Sequence, residues 1–217
     1  MEKKDKDLKI IVDCGKKYKE NLAGKQLLII SSKNETLSTV EIEFSLRNYH
    51  HLTGVKLRKN PKTKKPITTI QFINKILNER LQTKDWDYKE DGTTGLKLKI
   101  LNDIVEIHKT AKMVGVYSDS RIMLKTNLCI GNIFCYLGVI KTESITKFKN
   151  NVYVPNTAMN KDIRTEAKDL EKIIAIYRKN KTDKIYQELT YLAKGEVQEE
   201  IENKLEEYFK ETKNKTS

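Results

Sequence analysis

The sequence predicts one α+β domain in which amino-terminal helices pack on an antiparallel β-sheet, followed by a carboxy-terminal amphipathic helix. Three observations carry this reading. First, Leu101, Ile104, Val105, His108 and Ala111 recur on one helical face, whereas the segments after Tyr117 alternate with period two or form short buried runs. Second, Val40, Ile42, Phe44 and Leu46 alternate with Glu41, Glu43 and Ser45, as a half-buried strand does. Third, no internal repeat or low-complexity linker divides the chain, so residues 1–195 read as one domain and 196–217 as an acidic helix and tail.

The elements follow in order. Leu8, Ile11, Val12, Tyr18 and Leu22 share a helical face, and Gly24 is its stop. Gln26–Ser31 is a buried strand, joined by a polar turn to the alternating strand, so the two predict a hairpin. Thr68–Leu81 is a helix striped by Ile70, Ile73, Ile76, Leu77 and Leu81, with Thr68 and Gln71 as a capping box. Asp85–Gly92 has the look of a calcium loop, but Lys89 and Leu98 fall where ligands are needed, so it is an acidic turn. A helix then starts between Thr94 and Leu98 and ends near Ala111 or Lys112. Met113–Ser118, Ile122–Leu128, Ile133–Ile140 and Val152–Val154 read as strands, the last closed by Pro155-Asn156-Thr157. Asn160–Ala167 is short and helical or turn-like, Lys172–Arg178 a buried strand, and Ile185–Ala193 a further strand stopped by Gly195. From Glu196, the spacing of Val197, Ile201, Leu205 and Phe209 gives one narrow apolar stripe on a glutamate-rich helix.

At 217 residues the chain can bury one full-sized core. Lysine and arginine outnumber aspartate and glutamate by 42 to 30, a net charge of +12 that favours a polyanionic partner or an acidic protein surface. The plain alternative is lysine richness of a solvated surface. Cys14, Cys129 and Cys135 contain no CxxC pair, which excludes a disulfide framework and fits a reducing cytosol. The first residues lack the apolar core of a signal peptide, and the longest apolar run is broken by Gly131, Asn132 and Gly138. A cytoplasmic protein without membrane association is therefore expected.

Glycine-rich phosphate loops, HExxH and GxSxG are absent, and carboxylates do not cluster with the histidines, so neither cofactor nor metal is expected. What remains is His50, His51 and His108 with lysine, arginine and hydroxyl groups. That set suits metal-independent RNA cleavage, in which a base takes the 2′-OH proton, cations steady the phosphorane and an acid protonates the leaving 5′-oxygen. His50 and His51 lie just past a strand end, where one of two neighbours faces a site; a surface loop with incidental histidines reads equally well. His108 sits between Lys109 and Lys112 and reads either as a site residue or as a hydrogen-bonded core histidine. Lys56–Lys65 carries six basic residues and no acid, and Arg121 and Lys125 lie on the basic face of their strand.

Six segments carry a resemblance: HHLTG (His50–Gly54), DGTT (Asp91–Thr94), IHKTAKMVGVY (Ile107–Tyr117), YVPNTA (Tyr153–Ala158), IIAIYRK (Ile173–Lys179) and ELTYLAKG (Glu188–Gly195). In this order they resemble a phage- and mobile-element-associated branch of the barnase–EndoU–colicin–RelE-like nucleases, from about Leu8 to Gly195. The resemblance implies helices preceding and packing on an antiparallel sheet, and a metal-independent endoribonuclease, typically a toxin or an agent of phage–bacterium conflict. It also implies His51, His108, Lys112 and Arg178 as the catalytic set, with Asn156 and Thr157 as weaker, structural candidates. His50, Lys56, Arg58, Lys59, Lys109, Arg121 and Lys125 would hold nucleic acid. RNA, tRNA included, is the implied substrate, and a cognate inhibitor or a host defence protein the implied protein partner. The alternative is the same fold without chemistry, such as a phage-encoded inhibitor of a bacterial defence system. A DNA-binding regulator ranks third, because the basic residues are dispersed rather than set along one helix.

Overall fold

The structure, a computed structural model, describes residues 2–59, 64–118, 126–142 and 152–214, with side chains described as far as residue 206. Helix α1 (Lys3–Asn21) buries Ile11 and Tyr18 of the predicted stripe together with Cys14, and Gly24 with φ of +76° ends the turn that follows it. Strands β1 (Lys25–Lys33) and β2 (Thr36–Glu43) form the expected hairpin, paired from Gln26↔Glu43 to Lys33↔Thr36. Asn34 and Glu35 take the two positive-φ positions of its turn. Helix α2 (Asn48–Thr53) and the small ladder of β3 (Lys56–Leu57) with β4 (Trp86–Asp87) flank α3 (Thr69–Leu77). The capping box of α3 is present: Thr68 accepts from the Gln71 amide, and Gln71 accepts from the Thr68 amide. Helices α4 (Thr93–Val105) and α5 (Ile107–Thr110) lead into β5 (Met113–Tyr117). Then follow β6 (Leu128–Gly131), β7 (Tyr136–Lys141), β8 (Val152–Met159), α6 (Ile163–Glu166), β9 (Ala167–Asn180), β10 (Glu188–Leu192) and α7 (Gln198–Asn214).

The expectation of helices packed on an antiparallel sheet is overturned. The strands close into a seven-membered mixed barrel, β1-β2-β8-β7-β6-β5-β9 and back to β1, with helices around it and β10 added to β9. Two pairings make the closure. β2 and β8 run parallel, with Glu41↔Val152 and Ile42↔Tyr153, and they join the first hairpin to the later strands. β9 is 14 residues long, and its two halves serve different neighbours. Its first half pairs with β5 (Met113↔Lys172 to Tyr117↔Ala167), and Lys172–Asn180 pairs with β1 on the opposite edge. β10 continues the edge that β5 leaves, opposite Ala175–Arg178. Sequence periodicity finds only Lys172–Arg178 of this strand, because Lys168–Glu171 are polar or half-exposed and Asp169 has a φ of +50°. Nothing in local patterning shows which strand edges meet.

Smaller departures have local causes. Pro155 lies inside β8 rather than ending it, and it sits where the β7–β8 register shifts between Gly138 and Val139, an irregularity of the kind at which a strand accommodates proline. Ile133 and Phe134 are exposed in the β6–β7 turn instead of belonging to a strand. The expected Ile122–Leu128 strand lies mostly outside the described residues.

The strands carry apolar residues on both faces. Leu27, Ile29, Ile42, Val114, Ile130, Leu137 and Ile173 join α1, α3 and α4 in the main core. Leu28, Ile30, Ile174, Ala175 and Tyr177 face the other way, where α7 covers them with Ile201 and Leu205. Burial on both faces explains why these strands read as continuous apolar runs.

Candidate functional site

The six resemblance segments separate into two clusters at opposite ends of α4. HHLTG, DGTT and YVPNTA meet near its amino-terminal end. Asn48 fixes the start of α2 by accepting from the Ser45 amide (2.7 Å) and hydroxyl (2.9 Å), and its side-chain amide donates to the Pro155 carbonyl (3.3 Å). Gly54 ends α2 in the left-handed region, at φ +67°. The buried Thr94 hydroxyl donates to the Gly54 carbonyl (2.6 Å) and accepts from the Lys89 amide (2.9 Å), locking the DGTT turn onto α2. Lys97, one turn further along α4, donates to the His51 carbonyl (3.0 Å) and lies 3.4 Å from the Thr157 hydroxyl. Gly54 is what lets the lysine stem pass, since a Cβ there would stand 2.7 Å from Lys97 Cδ.

Two imidazoles lie in this cluster, and they differ. His50 is half-buried: Nε2 lies 3.0 Å from the Val55 carbonyl, so it carries the proton, and its ring meets Phe72 edge-on at 5.7 Å. Burial drives its pKa down to about 4. His51 is exposed, with its pKa lowered by partial burial and by the ammoniums of Lys97 and Lys89, so it is neutral at pH 7. Beside the pair a cleft of about 540 Å³ is lined by His50, Val55, Lys56, Leu57, Lys89 and the carboxylates Glu90 and Asp91. Burial, assisted by Lys89, lowers the Lys97 ammonium to a pKa of about 8, while Asp91 partly opposes the shift.

The other three segments converge at the far end of α4. Thr190 of β10 lies 2.8 Å from the His108 carbonyl and 3.0 Å from that of Ile176. His108 is fully buried, and neither ring nitrogen has a hydrogen-bond partner; Nε2 stands 3.9 Å from Glu106 Oε2. Burial, seconded by Arg178, lowers its pKa to about 4. Arg178 is engaged on three sides, by both Glu188 oxygens and by the Asn21 carbonyl (2.8 Å). Lys112 rests 3.8 Å over the Tyr191 ring, and Lys109 pairs with Glu106 at 3.5 Å. From Lys97 to Glu106 is nine residues of helix, about 14 Å at 1.5 Å per residue. His51 and His108 therefore serve different places.

The remaining sequence-predicted residues scatter around the first cluster. Lys56 is exposed and pairs with Glu90 at 3.2 Å. Arg58 grips Asp87 with Nε and Nη2, and Lys59 bridges Pro66 at the edge of the basic block. Arg121 and Lys125 lie outside the described residues. Lys89 and Lys97 are the residues that sequence reasoning missed. The signal for Lys97 was the i, i+3 spacing of Thr94 and Lys97, which puts both on one face once the helix starts at Thr93. It stayed hidden because α4 begins at Gly92 without a side-chain cap and GLKLK alternates like a strand. Among the described residues no three His, Cys, Asp or Glu side chains are placed to hold a metal ion, and no helix is long and apolar enough to cross a membrane.

Comparison with known proteins places this geometry in context. The family described as phage-Barnase-EndoU-ColicinE5/D-RelE like nuclease4 matches residues 10–195. The chain belongs to that family, a group of the barnase, EndoU, colicin and RelE nuclease type whose substrate class is nucleic acid. Searches of curated proteins and of solved structures returned no match. Helix α7 begins just beyond the matched residues.

Proposed function

We propose that this member of a nuclease family is a metal-independent endoribonuclease whose site is the surface around His51, beside the cleft between α2 and the start of α4. The observation that carries the reading is the state of His51. It is the one exposed imidazole of the chain's three, and partial burial, with the ammoniums of Lys97 and Lys89, lowers its pKa and favours the neutral ring. A neutral, accessible imidazole beside cations can take a proton from a ribose 2′-OH while the cations draw in the phosphate. The 2′-oxygen then attacks phosphorus, Lys89 offsets the charge that builds on the phosphorane, and the 5′-oxygen leaves as it takes up a proton from an acid. The products carry a 2′,3′-cyclic phosphate and a 5′-hydroxyl. In this reading His108, Lys112 and Arg178 support the fold and do not touch substrate, since the first is sealed and the others are engaged within the protein.

The test is cleavage of total tRNA and of a single-stranded RNA in EDTA, beside the same sequence as DNA. Cleavage of RNA alone, lost in His51→Ala, supports the proposal. A second reading, a nucleic-acid-binding module without chemistry, is favoured by the sealing of His108, which leaves His51 as the one exposed imidazole. Salt-sensitive RNA binding by the purified protein, with no cleavage in either EDTA or magnesium, would establish it instead. Expression offers a cheap companion measurement: a general ribonuclease should slow growth of its host unless an inhibitor is present, and a binder should not.

A further inference from the structure

A 2′-OH attack needs an acid at the leaving 5′-oxygen, and no second exposed imidazole is present to supply it. His50 has Nε2 committed to the Val55 carbonyl and Nδ1 buried, and His108 lies at the other end of α4. Resting on the site proposed above, we infer that Lys97 is the catalytic acid: its ammonium delivers a proton to the 5′-oxygen as the P–O5′ bond breaks.

The placement of Lys97 is built rather than incidental. Three separate segments hold it: the His51 carbonyl accepts from Nζ at 3.0 Å, Thr157 of β8 offers its hydroxyl at 3.4 Å, and Gly54 leaves room for the stem. The Thr94 bond to the Gly54 carbonyl fixes the same turn from the other side. The bond to the His51 carbonyl sets Nζ beside the residue that carries the exposed imidazole. The groups that face Lys97 are Lys89, which disfavours its charge, and Asp91, which favours it. With a pKa of about 8, the amine is protonated at pH 7 yet gives up its proton far more readily than an ordinary lysine.

The step balances. The 2′-OH proton goes to the His51 imidazole, the 2′-oxygen bonds to phosphorus, the P–O5′ bond breaks, and the Lys97 proton ends on O5′. His51 is left as imidazolium and Lys97 as free amine, and proton exchange with water resets both.

The experiment compares two dinucleotides, one ordinary and one with the bridging 5′-oxygen replaced by sulfur, which leaves as a thiolate and needs no acid. Lys97→Met should slow cleavage of the oxygen substrate by roughly 100-fold or more and bring the sulfur substrate back to within about tenfold of wild type. Rescue also shows that the variant is folded. His51→Ala should slow both. Lys97→Arg, a cation that does not titrate near pH 8, should slow the oxygen substrate and not the sulfur one. Equal loss on both substrates in Lys97→Met and Lys97→Arg, or equal activity on both, overturns the assignment and leaves the nuclease reading intact. Failure of wild type to cleave either substrate defeats that reading, and this inference with it.

Discussion

His108 gives a quantitative prediction about stability rather than catalysis. Its imidazole is fully buried, both ring nitrogens lack partners, and the charges that face it are Arg178, Glu106, Lys109 and Glu188. The folded protein holds it neutral with a pKa of about 4, against an ordinary 6.5. A histidine whose folded pKa is depressed contributes stability that is present above 6.5 and lost as pH falls toward 4, because the unfolded chain takes up the proton first. A displacement of this size corresponds to roughly 3 kcal/mol in full, of which about 2 kcal/mol is lost by pH 5. His108→Leu removes this liability and replaces two unpaired buried nitrogens with a side chain of similar volume. At pH 7 it should therefore unfold at an equal or higher urea concentration than wild type, since each unsatisfied buried polar atom costs about 1–3 kcal/mol. The assay is urea unfolding of both proteins at pH 7.5 and pH 5.0. The wild type should lose about 2 kcal/mol more than the variant between those conditions; His50, also lowered to about 4, is common to both and cancels. An identical pH dependence in the two proteins would refute the buried, neutral His108.

Other consequences concern the cleft. The profile of kcat/KM against pH should rise as the His51 imidazolium loses its proton below pH 6.5 and fall near pH 8 as Lys97 does; in Lys97→Arg the alkaline fall should disappear. Gly54→Ala forces a left-handed residue and a Cβ onto the Lys97 stem, and it should cost about 1–2 kcal/mol in urea unfolding and lower cleavage in step. RNA binding should weaken steeply with salt, and Lys56→Ala and Lys89→Ala should each reduce the slope of log K against log salt by about one.

Local structure was legible in the sequence wherever one segment carries its own signal. The Thr68–Gln71 box set the start of α3, and the alternation from Val40 to Leu46 with the polar turn before it defined the β1–β2 hairpin. Pairing between distant segments was not legible. The parallel contact of β2 with β8 rests on two residue pairs, and the bent β9 hides its first half behind polar and half-exposed residues, so barrel closure leaves no periodic trace. The site followed the same division. His51 stood out because histidines are rare in this chain, whereas Lys97 is one of many lysines and is distinguished only by what the fold wraps around it. The order of the six segments pointed to the family, yet only their spatial sorting separates the open cleft from the closed cluster around His108.

The most direct measurement of the role of His51 is RNA cleavage in EDTA by wild type, His51→Ala and His108→Leu. Wild type should give products ending in 2′,3′-cyclic phosphate, His51→Ala should lose roughly 100-fold or more, and His108→Leu should cleave at near the wild-type rate. Full activity in His51→Ala, or loss of activity in a folded His108→Leu, would contradict the proposed site.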